Sequence, residues 1–179
     1  LLDCFIFYIE EYISDHYRYG MTQISEIAVK AMSPGINDPG TAVKAIDMLS
    51  ILLILRLDIY DVNYSLKRCE NNQPHLFIHE TSFDELLHDN FTPIRNYAKN
   101  DAYVMVNVLE AFKNILFRAS DNDKATDSLF VYLGAIIEDI DKHISNEYDR
   151  EQITNMLKAI ARISEQQGEK LLARFASNQ

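Results

Sequence analysis

Apolar side chains recur three and four residues apart along most of this 179-residue chain, and that spacing selects a fold built from amphipathic helices. Leu2, Phe5, Ile6, Ile9 and Ile13, with Glu10, Glu11 and Asp15 between them, predict a helix over residues 2–18 that Gly20 ends. Ile24, Ile27, Ala28, Ala31 and Met32 form the stripe of a second, short helix, stopped by Pro34-Gly35. A third opens at Asp38-Pro39, where the carboxylate can accept from the first free N–H groups and Pro39 needs no partner. It runs through Ala42, Ala45, Ile46, Leu49, Leu52 and Leu53 to near Leu57.

The period then changes. Val62, Tyr64 and Leu66 alternate with Asn63, Ser65 and Lys67, Glu70 to Pro74 is turn chemistry, and His75 to His79 reads as a returning strand. A small β-hairpin is expected near 62–79. Ser82-Phe83-Asp84-Glu85 is a capping box opening a helix to about Asn90, and Thr92-Pro93 either restarts or kinks it. Asp101 caps a helix with Met105, Val108, Leu109, Phe112, Ile115 and Leu116 inward. Asn122-Asp123 opens another, carrying Leu129, Leu133, Ile136, Ile137, Ile140 and Ile144. Asn146 caps a last long one, with Ile153, Met156, Leu157, Ile160 and Ile163, running to near Gly168. The expectation is a mainly α fold: about seven helices in an orthogonal or bundle-like array around one hairpin, as a single soluble domain over 1–179.

Composition sets limits on function. A chain of this length hides roughly 70% of its unfolded surface, enough for a core without crosslinks. The net charge of -10 repels phosphate backbones and anionic lipid headgroups, and Lys67-Arg68 is the longest basic cluster, so no nucleic-acid partner is expected. Cys4 and Cys69 lack a CxxC partner, which suits two ordinary thiols in a reducing compartment. No run reaches the ~20 apolar residues of a membrane span; Ile51 to Leu55 is short and closed by Arg56 and Asp58. A start at Leu1 without Met suggests a fragment of a longer chain.

The most unusual local sequence is the loop Ser33 to Thr41. One reading makes it a small-ligand or enzymatic site with Ser33, Asn37, Asp38 and Thr41 as polar groups and Glu26 on the helix before it, because a helix N-terminus beside glycine offers free N–H donors. The other makes it a rigid helix–helix corner, with Asp38 occupying those donors and repelling an anion. The second needs fewer assumptions.

Other chemistry finds little purchase. His75 and His79 lie roughly 13 Å apart if extended, too far to share a zinc ion. Asp121-Asn122-Asp123 begins like a calcium loop, but Ala125 and Thr126 stand where the fifth ligand and the glycine belong. Glu138, Asp139 and Asp141 read as a solvated acidic face, with Lys142 spaced to pair with Glu138. There is no GxSxG elbow, reactive-thiol signature, Walker loop or dinucleotide fingerprint. Catalytic residues, metal ligands and cofactors are accordingly none.

Tyr19-Gly20, Ile24-Ser25-Glu26-Ile27-Ala28, Ala31-Met32-Ser33-Pro34-Gly35-Ile36-Asn37-Asp38-Pro39 and Thr41-Ala42 together resemble domain-of-unknown-function family 2254, bacterial predicted membrane proteins. The likeness is densest over residues 19–47, with departures at Glu26 (where the family tends to have Asp), Gly40 (a bulkier residue) and His16 (an acidic one). The resemblance implies an N-terminal transmembrane part as the chain's own partner, with this portion as its soluble C-terminal region; the unpaired thiols alone point to a cytoplasmic face. It implies no reaction. The resulting expectation is a non-catalytic assembly or regulatory module, able to form a homo-oligomer through an exposed apolar helix face.

Overall fold

A computed structural model describes residues 16–59, 63–67, 74–79, 81–119 and 122–176. The architecture is mainly α. Among the described residues the helices are α1 (Tyr17–Ala31), α2 (Pro39–Arg56), α3 (Phe83–Ala98), α4 (Ala102–Arg118), α5 (Asp123–His143), α6 (Glu147–Ala161) and α7 (Glu165–Ala176). Strands β1 (Asn63–Lys67) and β2 (Pro74–His79) pair antiparallel, with Tyr64 opposite Ile78 and Leu66 opposite Leu76. The residues that join them, residues 2–15 of the helix expected over 2–18, Asp121, Cys4 and Cys69 lie outside the described residues.

Seven helices stand among the described residues, and their membership differs from the sequence expectation at both ends. Gly20 ends no helix: it is buried inside α1, which begins at Tyr17 after an extended His16. Packing overrides the modest helix cost of glycine there. At the other end the expected long helix is two helices. α6 stops at Ala161, and Gly168 lies buried within α7. A Cβ at Gly168 would sit 2.3 Å from Ala161 Cα and 2.9 Å from its carbonyl oxygen, so glycine lets α7 close onto the end of α6.

Side-chain caps set the helix starts. Ser82 accepts from Glu85 N–H while the Glu85 carboxylate accepts from Ser82 N–H, the reciprocal box legible in sequence. Asp101, Asn122 and Asn146 cap α4, α5 and α6 in the same sense. α3 neither stops at Asn90 nor restarts at Pro93; it runs through both. Pro93 removes the bond to the Asp89 carbonyl, and α1 braces that turn: Arg18 pairs with Asp89 at 2.8 Å, and Ser25 donates to the Asn90 carbonyl at 2.7 Å.

α4 is the central helix, packed against α2, α3, α5 and α6, with Val104, Met105, Leu109, Phe112, Ile115 and Leu116 all buried. An aromatic column crosses it. Phe91 of α3 meets Phe112 edge-on at 5.1 Å, and Phe112 stacks on Tyr132 of α5 at 5.5 Å. Tyr132 hydroxyl bonds Thr92 at 3.0 Å, and Arg95, paired with Asp139 at 3.1 Å, lies over its ring. Arg150 ties the C-terminal helices together, pairing with Asp141 at 2.9 Å, donating to the Ile144 carbonyl and lying 4.7 Å from the Phe175 ring centre.

Candidate functional site

The Ser33–Thr41 corner reverses the chain between α1 and α2, which pack along one another. Ser33 hydroxyl donates to the Lys30 carbonyl at 2.7 Å, and Ser33's own carbonyl accepts from Ile36 and Asn37 N–H at 3.0 and 2.9 Å. Asn37 takes φ 49°, the left-handed region that asparagine tolerates better than most residues. That turn aims Asp38 N–H back at the Ala31 carbonyl, 2.8 Å away. The first turn of α2 is then closed by one side chain. Asp38 accepts from Thr41 N–H at 3.0 Å through Oδ1 and from Thr41 hydroxyl at 2.6 Å through Oδ2.

These bonds hold the carboxyl of Asp38 below its ordinary value of 3.8. The Thr41 hydroxyl contributes most, then its N–H, and Lys44 adds a smaller attraction. The group is therefore an ionised cap. Glu26 sits on the exposed face of α1 and pairs with Lys30 at 3.8 Å, one helical turn along. Of the five expected site residues, Ser33, Asp38 and Thr41 bond within the loop, Asn37 supplies its conformation, and Glu26 belongs to a surface ion pair. None of the five lines the four clefts described among these residues.

A cleft of about 900 Å³ lies elsewhere. Arg56 to Ile59 at the end of α2, Ser82 to Asp84 at the start of α3, Arg118, and Asn122 to Ala125 at the start of α5 surround it. Arg56 is 4% exposed and donates to the carbonyls of Ile59 and Thr81, clamping the chain where it leaves α2 and where it returns to α3. The caps at Ser82 and Asn122 were legible separately; no spacing signal could show that the two helix starts face one cleft. Its charges are mixed, with Asp58, Asp84 and Asp123 among Arg118 and Lys124. Among the described residues no group of three His, Cys, Asp or Glu side chains is arranged to hold a metal, and no helix is long and apolar enough to cross a membrane.

Sequence could not show which helix face stays bare. On α2, Met48, Ile51 and Leu55 are 54%, 56% and 59% exposed, in line at i, i+3 and i+7. Ile54, beside Ile51, lines a largely apolar groove of about 440 Å³ with Phe117 and Ile163. Together Met48, Ile51 and Leu55 make an exposed apolar stripe among the described residues.

Comparison with known proteins places the chain. It is 23% identical over 156 residues to uncharacterised proteins of Mycobacterium bovis and Mycobacterium tuberculosis, a match that covers 87% of this chain and 29% of theirs. The chain thus spans less than a third of the length of these curated relatives. No solved structure matches it significantly. The family described as predicted membrane proteins, domain-of-unknown-function family 2254, matches residues 1–114, from the N-terminal segment through most of α4. The chain belongs to that family of predicted membrane proteins.

Proposed function

We propose that this region is a non-catalytic helical module of a bacterial membrane protein, lying outside the bilayer and acting in assembly, regulation or partner binding. One observation carries the reading: the polar groups of the most distinctive loop are spent on architecture, since both oxygens of Asp38 are bonded by Thr41 and Ser33 is bonded to Lys30. A site that must bind substrate or move protons needs such groups turned outward. The partners that fit are the transmembrane part of the same protein and a second copy. Two cysteines without a disulfide framework support a cytoplasmic face.

Expression of the longer natural chain followed by membrane fractionation tests this. The module should sediment with membranes only when the preceding sequence is attached, and a longer chain that stays in the supernatant defeats the reading. The competing reading, a small-ligand or enzymatic site at Ser33–Thr41, draws support from Asn37, which is exposed and held in a special conformation. Thermal stabilisation of the wild-type chain by a metabolite, abolished by Asn37→Gly but not by a distant surface change, would favour it.

A further inference from the structure

We propose that the exposed stripe of α2 is the contact through which two copies of this chain pair, antiparallel about a two-fold axis that passes beside Ile51. The pairing rests on the region's being an assembly module, and gives that module its surface and its partner. Lys44, Met48, Ile51, Leu55 and Asp58 are all exposed and follow one another at alternating spacings of four and three residues. That alternation is the seam spacing of two helices packed side by side, and it keeps all five within one narrow strip. Asp58 lies just past the end of α2, but Leu57 before it keeps helical dihedrals, φ -60° and ψ -28°, so Asp58 stays in line.

The area suits a dimer. A standard interface takes about 800 Å² from each partner, roughly 60% of it apolar. Met48, Ile51 and Leu55 are each more than half exposed, and Phe117 of α4 is 73% exposed. With about 200 Å² for a fully exposed large side chain, these four present on the order of 450 Å² of mostly apolar surface, close to that need. Ile54, one turn on from Ile51, leads the stripe into the groove it lines with Phe117 and Ile163, so Phe117 flanks the seam. An apolar patch of this size on a single chain is commonly a contact surface.

Charge sets the direction. Lys44 stands at one end of the stripe and Asp58 at the other, equally far in sequence from Ile51. Parallel pairing would bring Lys44 against Lys44 and Asp58 against Asp58, a repulsion at both ends. Antiparallel pairing about Ile51 brings each Lys44 against Asp58 of the second copy and each Met48 beside Ile54 and Leu55. The two-fold axis makes every such contact twice and closes the assembly at two copies. The net charge of -10 on each copy opposes association in general, so the apolar seam and these two ion pairs have to outweigh it.

Sedimentation equilibrium of the full 179-residue chain across the micromolar range tests the pairing, with circular dichroism to show that each variant is folded. The expected result is a reversible monomer–dimer equilibrium that Ile51→Asp weakens by about tenfold or more. Lys44→Glu and Asp58→Lys should each weaken it several-fold, and Lys44→Asp combined with Asp58→Lys should restore it. General repulsion between acidic copies predicts the opposite for Asp58→Lys, which removes negative charge; tighter pairing in that variant overturns the antiparallel arrangement. A dimer indifferent to Ile51→Asp, or a monomer throughout, overturns the proposal. In a monomer, a lower melting temperature of Ile51→Asp gives the face to other residues of the same chain, and binding to phosphatidylcholine vesicles that Ile51→Asp abolishes gives it to lipid. Membrane fractionation of the longer chain is independent of these results, so the dimer contact can fail while the membrane-protein module stands.

Discussion

Thr41 holds both carboxylate oxygens of Asp38, by its N–H at 3.0 Å and its hydroxyl at 2.6 Å, and so the residue three positions into α2 closes the end of its own helix. With the carboxyl lowered by these bonds, folding favours the ionised form. The stabilisation is fully present above the unfolded value and is lost as pH falls through the folded one. Asp38→Ala should therefore lower the melting temperature by a few degrees at neutral pH, and the gap to wild type should close on acidification below about pH 4. Asp38→Asn, which can still accept from Thr41 N–H, should lose less. Thermal circular dichroism of the three proteins at both pH values checks the ordering.

Asp47, on the same helix, should show the opposite sign. Desolvation first, and the nearby Glu110 second, raise its carboxyl above the ordinary value of 3.8. Folding here favours the protonated form, so the ionised group opposes the fold above its folded pKa and ceases to do so below its unfolded one. Asp47→Asn should melt higher than wild type at neutral pH, and the advantage should vanish in acid. A variant that melts lower at pH 7 would mean that Asp47 serves a contact rather than suffering one.

Local chemistry was legible wherever one residue acts on its neighbours. The caps at Asp38, Ser82, Asp101, Asn122 and Asn146 depend on side chains two or three positions from the N–H groups they bond, and each stands in the structure. Gly20 and Gly168 resemble helix stops in sequence, yet both are buried inside helices. At Gly168 the role is non-local, since a Cβ there would meet the backbone of Ala161 at the end of α6. Pro93 was open between a kink and a restart, and what decides it is the brace from Arg18 and Ser25, some seventy residues earlier. At the Ser33–Thr41 corner the architectural reading was available because Asp38 and Thr41 are three residues apart. The bare face of α2 was not, since Met48, Ile51 and Leu55 carry the same residue types as the buried Leu49 and Leu53.

Arg56 offers a test of the cleft wall. Its guanidinium joins the carbonyl of Ile59 to that of Thr81 at 3.0 Å, so one buried side chain closes the base of the excursion between α2 and α3. Arg56→Leu keeps the apolar stem but leaves both carbonyls without that donor, a loss of about 1.5–3 kcal/mol for bonds to a charged group. The urea midpoint should fall accordingly. Limited proteolysis should cut between Ile59 and Thr81 several-fold faster, while α4 and α5 stay resistant. Unchanged cutting would show that the strands hold their own base.

Gly168→Ala sets two principles against each other. Helix propensity alone makes alanine better inside α7 by about 1 kcal/mol. Packing says the reverse, because the new methyl would lie 2.3 Å from the Cα of Ala161 and 2.9 Å from its carbonyl oxygen, backbone atoms that cannot rotate away. Separating two helices costs about 1–3 kcal/mol for this kind of overpacking, so the net effect should be destabilising. The displacement would also pull Phe175 from the Arg150 guanidinium, 4.7 Å from its ring centre. Phe175 amide exchange should therefore rise in Gly168→Ala more than exchange in α3, which α7 does not pack against. A variant more stable than wild type would show that α7 does not close on α6 as tightly as Gly168 permits.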